Sequence, residues 1–390
     1  MRSGFRVARL FGINIFIDWS WIFIFLLVTW NLAAVFFPAL HPDWDFGLTV
    51  GMSIAASLLF FASVLAHELA HSLVANARGL PVRSITLFIF GGVSNIEREP
   101  PSPATEFLVT IVGPLTSLIL GALFIYLGSL NANLTGGNIQ QILAGLDPVS
   151  TLLLWLGPIN ILLGIFNLIP GFPLDGGRVL RSILWAITND LRRATRWASL
   201  VGQGVAWMFI IAGIATIFGF QIPFIGGGLI GGLWLAFIGW FLNNAASQSY
   251  QQVVVQDLLE GVPVARLMRQ DAPTITTDIP VSALIYDYVM GTDEHAFPVV
   301  DNEKLIGLVC LEDIRKVPRE EWDRTQVSQI MTPYDQLDTV NPREDATQAL
   351  EKLGRRDVRQ VPVVQNGELV GLLRRRDIMR WLQIQSETAR

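Results

Sequence analysis

Residues 61–74 read Phe61-Ala-Ser-Val-Leu-Ala-His67-Glu68-Leu-Ala-His71-Ser-Leu-Val74. Two histidines four residues apart share one face of a helix, so both imidazoles can reach a single cation. Glu68 stands between them, where it can take a proton from a water molecule. The stretch sits within an apolar run, 50–77, long enough to cross a bilayer. One Glu and two His inside such a run cost several kcal/mol unless they pair or hold a metal. H-E-x-x-H arises by chance in soluble helices, but a chance match does not account for burying these three side chains in an apolar span.

Outward from this stretch, five more apolar runs lie near 13–37, 105–130, 150–170, 198–219 and 222–242. Each approaches or exceeds the roughly 20 residues a helix needs to span about 30 Å of hydrocarbon. The fold expected over residues 1–245 is therefore a polytopic α-helical membrane protein with six transmembrane helices. A mean hydropathy of +0.45 and 51% hydrophobic residues fit that expectation. Charge divides the chain. Residues 1–250 hold 11 Arg, no Lys and 10 acids, a net of +1, whereas residues 251–390 hold 17 basic and 23 acidic residues, a net of −6. The last third thus reads as an acidic soluble domain. No basic patch points to nucleic acid as a partner, and a single cysteine, Cys310, excludes an intramolecular disulfide.

Arg2, Arg6 and Arg9 precede the first span and mimic a secretory signal. That span is too long and lacks a small-residue cleavage site, so it is read as retained. Further arginines follow the second span (Arg78, Arg83, Arg98) and the fourth (Arg178, Arg181, Arg192, Arg193, Arg196), while the alternate loops, 38–49, 131–149 and 220–221, contain no Lys or Arg. The positive-inside rule then puts both termini in the cytosol of a multi-pass protein of the plasma or inner membrane.

A catalytic zinc needs a third protein ligand. The fourth span ends Asn160-Ile-Leu-Leu-Gly-Ile-Phe-Asn167-Leu-Ile-Pro170-Gly-Phe-Pro173-Leu174-Asp175-Gly176-Gly177-Arg178. The prolines and glycines break the helix near the membrane face. Asp175 is the only acid between Asp147 and Asp190. The second and fourth spans both run inward, and at 1.5 Å per residue His71 lies roughly 10 Å from the cytosolic end of its helix, so the two halves of the site can meet. Zinc held by neutral imidazole and carboxylate with one position open lowers the pKa of a bound water to about 7.

The paired motifs resemble the site-2 protease family of intramembrane metalloproteases. That family combines H-E-x-x-H in one transmembrane helix with N-x-x-P-x-x-x-L-D-G in a later one, and both match in full: His67-Glu68-x-x-His71 and Asn167-x-x-Pro170-x-x-x-Leu174-Asp175-Gly176. The resemblance covers about residues 5–245. It implies that His67, His71 and Asp175 bind one Zn²⁺, that Glu68 is the general base and acid, and that Asn167 contacts the scissile peptide or its oxyanion. The substrate implied is a transmembrane protein cut near the cytosolic face, as in regulated intramembrane proteolysis.

Weaker signals are read two ways. Thr86-Leu-Phe-Ile-Phe-Gly91-Gly92-Val-Ser94 is either a β-hairpin whose edge holds an unwound substrate by strand addition or a structural loop. Gly113-Pro114-x-x-Ser117 loosens the third span, for packing or for water access. Phe224-Ile-Gly-Gly-Gly-Leu-Ile-Gly-Gly232 has small-x-x-x-small spacing, for close helix packing or for gating. Asp18 is expected to pair inside the bundle, and His41 and His295 to lie at the surface.

The tail repeats itself at an offset of 63 to 64 residues. Val264-Ala-Arg-Leu-Met268 matches Val327-Ser-Gln-Ile-Met331, Phe297-Pro-Val-Val300 matches Val361-Pro-Val-Val364, and Gly307-Leu-Val-Cys-Leu-Glu-Asp313-Ile matches Gly371-Leu-Leu-Arg-Arg-Arg-Asp377-Ile. Each copy alternates helical and short strand patterns, which makes a soluble α/β module. The pattern resembles a tandem pair of CBS domains, here 258–318 and 319–386 after a linker at 246–257. Such pairs in many proteins bind an adenine nucleotide between the repeats, with contacts from a G-h-h-[ST]-x-x-[DN] stretch. Asp313 and Asp377 keep its acid, so they are the candidate nucleotide-binding residues. Cys310 and Arg374 replace its hydroxyl residue, so a docking or homodimerisation module without ligand fits equally well. The alternative from another class is a CBS-regulated ion transporter or channel with an intramembrane metal site.

Overall fold

Ile13-Asn-Ile-Phe-Ile-Asp18 places isoleucines at every second position before the first long apolar run. In the computed structural model, which describes residues 4–96, 98–130, 145–220, 228–292, 294–302, 304–355 and 358–388, this segment is a strand. The first span therefore begins at Trp19, not near 13. Strand β1 (Gly4–Leu10) pairs antiparallel with β2 (Ile13–Asp18) across Phe11 and Gly12, both at positive φ as a two-residue hairpin turn requires. Ile13 and Ile15 bury their side chains against Leu80, Val82 and Ile85, and this burial makes the segment a strand. Asp18 caps the first helix, accepting from Ser20 N at 2.9 Å and Ser20 Oγ at 2.6 Å.

Among the described residues, six helices are long and apolar enough to cross a membrane: α1 (Trp19–Leu40, with a π-helical turn at Leu32–Phe36), α2 (Phe46–Ala77), α3 (Pro103–Leu130), α4 (Pro148–Asn167), α6 (Leu191–Ile217) and α7 (Gly228–Leu259). Between α4 and α6 lies the amphipathic α5 (Asp175–Thr188). Asp45, Asp147 and Asp190 cap the starts of α2, α4 and α6, and hydrogen bonds from the Ser150 side chain, then from the backbone N–H of Ser150 and of Val149, hold Asp147 below the usual carboxylate range. The expected hairpin is present as β3 (Val82–Phe88) and β4 (Gly91–Ile96). It extends the first pair into a four-stranded sheet, β1-β2-β3-β4, in which β2 and β3 run parallel.

The first part of the Phe224–Gly232 stretch and most of the loop 131–149 lie outside the described residues, as does Gln221. Gly232 itself bears out close packing, because a Cβ there would collide with the carbonyl oxygen of Gly213 on α6. Residues 246–257 are helical, since α7 runs to Leu259.

The chain divides into two units, Met1–Gln251 and Gln252–Arg390. The second holds a sheet ordered β5-β6-β9-β8, from β5 (Ala296–Asp301), β6 (Lys304–Cys310), β8 (Gln360–Gln365) and β9 (Glu368–Arg374), with the short β7 (Thr332–Pro333) beside β6. Each repeat supplies one hairpin, and that of the second turns on Asn366-Gly367, both at positive φ. The repeats exchange their leading segments. Val264 packs into the core of the second repeat, with its N–H bonded to Glu344 O at 2.9 Å. Val327 packs into that of the first, with its N–H bonded to Ile279 O at 3.0 Å.

Candidate metal centre

His67 and His71 lie one turn apart on α2, both buried, at 5% and 6% exposure. Helix α3 orients both rings. His71 Nδ1 is 2.7 Å from Val109 O. A carbonyl only accepts, so Nδ1 carries the hydrogen and the neutral ring keeps its lone pair on Nε2. His67 Nδ1 meets Ser117 Oγ at 2.9 Å, which leaves its Nε2 facing inward in the same way. Gly113 lies between these two anchors, and a Cβ there would collide with Nε2 of both histidines. The Gly113–Ser117 stretch, read earlier as packing or water access, thus builds the site directly.

The chain leaves α4 after Asn167, turns through Pro170 and Pro173, and begins α5 at Asp175, with Leu174 at the N-cap. This brings Asp175 Oδ2 to 3.0 Å from His67 Nε2 and 3.1 Å from His71 Nε2, while the two Nε2 atoms are 3.2 Å apart. Among the described residues this is the one cluster of three such side chains able to share an ion. Two imidazole nitrogens and a carboxylate oxygen facing one point make a donor set that a single cation can share. Ligands of a four-coordinate zinc stand about 3.3 Å apart, given bonds of about 2.0–2.1 Å, close to the separations seen. With both outer ring nitrogens held by a carbonyl and a hydroxyl, in the pattern typical of metal-bound histidine, the residues fit a zinc ion.

Glu68, half-buried, points its Oε2 at Ser94 Oγ on β4, 2.8 Å away. Ser94 also bonds Ser72 Oγ at 3.1 Å. Gly92 lies so close that a Cβ would collide with Glu68 Cγ. Strand β4 is an edge of the sheet, so the carboxylate lies beside a strand edge. Ser94 was visible in the sequence only as the end of the hairpin stretch; the contact joins residues 26 apart, which local spacing does not reveal.

Asn167 is not brought into hydrogen-bond contact with these four residues. Its Nδ2 donates to Leu163 O at 3.0 Å, within its own helix. His41 departs from expectation: it is buried at 5% exposure, stacked on Trp44 with ring centroids 4.2 Å apart and bonded through Nε2 to Thr151 Oγ1 at 2.9 Å. His295 is exposed, as expected.

In the tail, Asp313 Oδ2 accepts from Cys310 N at 3.0 Å and its Oδ1 pairs with Lys316 at 2.8 Å. Burial pushes the Cys310 thiol up to about 11, with Asp313 and Glu312 adding to the effect. Asp377 is held by Arg374, at 2.5 Å from Nε and 2.8 Å from NH2, and Arg374 also reaches the buried Glu294 at 2.6 Å.

The fold and the site define a class: a polytopic helical membrane protein with a buried cluster of two histidines and one aspartate able to share an ion. The profile of Peptidase family M50 matches residues 55–211, and that of the CBS domain matches 264–320 and 327–384. Rip3 from Mycobacterium tuberculosis is 36% identical over 386 residues, covering 98% of this chain and 94% of that protein. Zinc metalloprotease MJ0392 from Methanocaldococcus jannaschii is 28% identical over 328 residues, 84% of each chain. The solved site-2 protease from the same archaeon is 27% identical, covers 63% of this chain and 95% of its own, and has a TM-score of 0.41. The chain belongs to peptidase family M50, the site-2 proteases, and carries a tandem CBS pair; it is a zinc metallopeptidase of that type. The transporter alternative loses its ground.

Proposed function

We propose that this protein is an intramembrane zinc endopeptidase that cleaves transmembrane proteins near the cytosolic face, with both termini in the cytosol. The observation that carries this reading is the convergence of His67 Nε2, His71 Nε2 and Asp175 Oδ2 beside a carboxylate held by Ser94. Zinc bound there supplies a Lewis acid for the peptide carbonyl and acidifies water. Glu68 takes a proton from the attacking water and returns it to the leaving nitrogen, and Ser94 keeps its Oε2 aimed. Asn167 spends one Nδ2 hydrogen on Leu163 O and keeps the second for the substrate carbonyl or its oxyanion. An unwound substrate adds to the edge of β4, which aligns its backbone beside Glu68.

For the tail the reading is regulatory, with a second copy paired through the CBS module. An adenine nucleotide there must first separate Arg374 from Asp377.

The test reconstitutes the protein in liposomes with a single-pass membrane protein and maps the cut by mass spectrometry. Cleavage within the span, abolished by a chelator, restored by zinc and absent in Glu68→Gln, is the expected result. Cleavage that persists in Glu68→Gln or in chelator overturns it.

A further inference from the structure

Helix α3 carries Glu106, Val109, Gly113 and Ser117 at intervals of three, four and four residues, so they form one stripe. Three of these positions already touch the histidines: the Val109 carbonyl, the space at Gly113 and the Ser117 hydroxyl. The fourth, Glu106, is fully buried at 0% exposure and is the only acid between Glu99 and Asp147. Its Oε1 accepts from Arg181 Nε at 2.7 Å and from Arg181 NH2, with Arg178 Nε 3.7 Å away. Both arginines lie on α5, whose first residue is Asp175. The Arg181 guanidinium also lies over the Phe172 ring, 5.4 Å from its centroid, and so grips the turn that leads into Asp175.

Asp175 sits at the start of a 14-residue helix that follows a turn broken by two prolines. The turn packs against α6, with Gly171 close to Gly202 and Phe172 beside Ala198, whereas the buried Glu106–Arg181 contact ties α5 to α3. A carboxylate buried in an apolar span stays there only if paired, and its partner here, Arg181, is six residues along α5 from Asp175. We propose that Glu106 and Arg181 are a positioning pair that locks α5 to the stripe of α3 and so holds Asp175 in register with His67 and His71. The inference rests on the metal-centre reading of those three residues.

The test is a cobalt titration of the full-length protein in detergent, followed by visible absorption and by zinc competition. It compares wild type with Glu106→Gln, Arg181→Lys, Arg181→Gln and Asp175→Asn. Wild type is expected to bind about one ion per chain, as a three-ligand centre does. Glu106→Gln and Arg181→Gln are expected to bind ~10- to 100-fold more weakly, the range for loss of an outer-shell partner. Their cobalt spectra should move toward that of Asp175→Asn, a change that a loss of stability alone does not produce. Arg181→Lys, which keeps the charge, should recover most of the affinity. Wild-type affinity and spectrum in Glu106→Gln overturn the pair and leave the metal centre standing. No metal in the wild type removes both readings together. If Glu106→Gln does not fold, the two Arg181 variants decide: equal affinities contradict the pair, and a clear advantage for Lys supports it.

Discussion

Asp175 and Asp377 are both aspartates of recognisable motifs, and the structure treats them in opposite ways. Asp377 in the tail is satisfied by its own chain, with Arg374 donating to both carboxylate oxygens. Asp175 in the membrane unit faces the Nε2 atoms of two imidazoles, of which His71 commits its Nδ1 hydrogen to Val109 O. A carboxylate matched by donors of its own chain closes a local structure. One surrounded by electron-pair donors, where water is scarce, needs a cation from outside. The motif is complete around Asp175, whereas Arg374 replaces the hydroxyl residue of the one that ends in Asp377. What separates them is whether the surrounding groups can donate.

The difference can be sharpened by substitutions, from the largest effect to the smallest. Glu68→Gln should reduce cleavage by ~10²- to 10⁴-fold, the usual range for a general base, with metal content unchanged by elemental analysis. Ser117→Ala should weaken zinc binding by ~10-fold or somewhat more, as loss of a partner to a ligand histidine does; competition with a chromophoric chelator reads it. Ser94→Ala should leave zinc in place and slow cleavage by ~10-fold, the effect of one hydrogen bond to a charged group. Arg374→Ser attacks the comparison from the other side by freeing Asp377 and restoring a hydroxyl. An adenine nucleotide should then raise the melting temperature of the full-length variant by more than it raises that of wild type, since a ligand stabilises the state it binds. Equal shifts would show that the Arg374–Asp377 pair is no barrier.

Much of this was legible beforehand, for reasons that are physical. Long apolar runs announce membrane helices because hydrocarbon tolerates little else, and two histidines at four-residue spacing announce a shared face. Asp175 stood out because no other acid lies near it in the sequence. The start of the first span was misplaced because Ile13–Asp18 is apolar enough for either structure; pairing with Gly4–Leu10 on one side and Val82–Phe88 on the other makes it a strand. Ser94, Val109 and the Glu106–Arg181 pair act across separations of 26, 38 and 75 residues, so no local pattern marks them. His41 looked like a loop residue and is buried because Trp44 and Thr151 enclose it.

The most direct test of the central claim is the zinc content of purified wild-type protein beside His67→Ala and Asp175→Ala. About one zinc per chain in the wild type, as a single three-ligand site requires, and its loss in both variants, is the expected result. Zinc that is absent from the wild type, or retained in full by Asp175→Ala, would contradict a centre built jointly by α2 and α5.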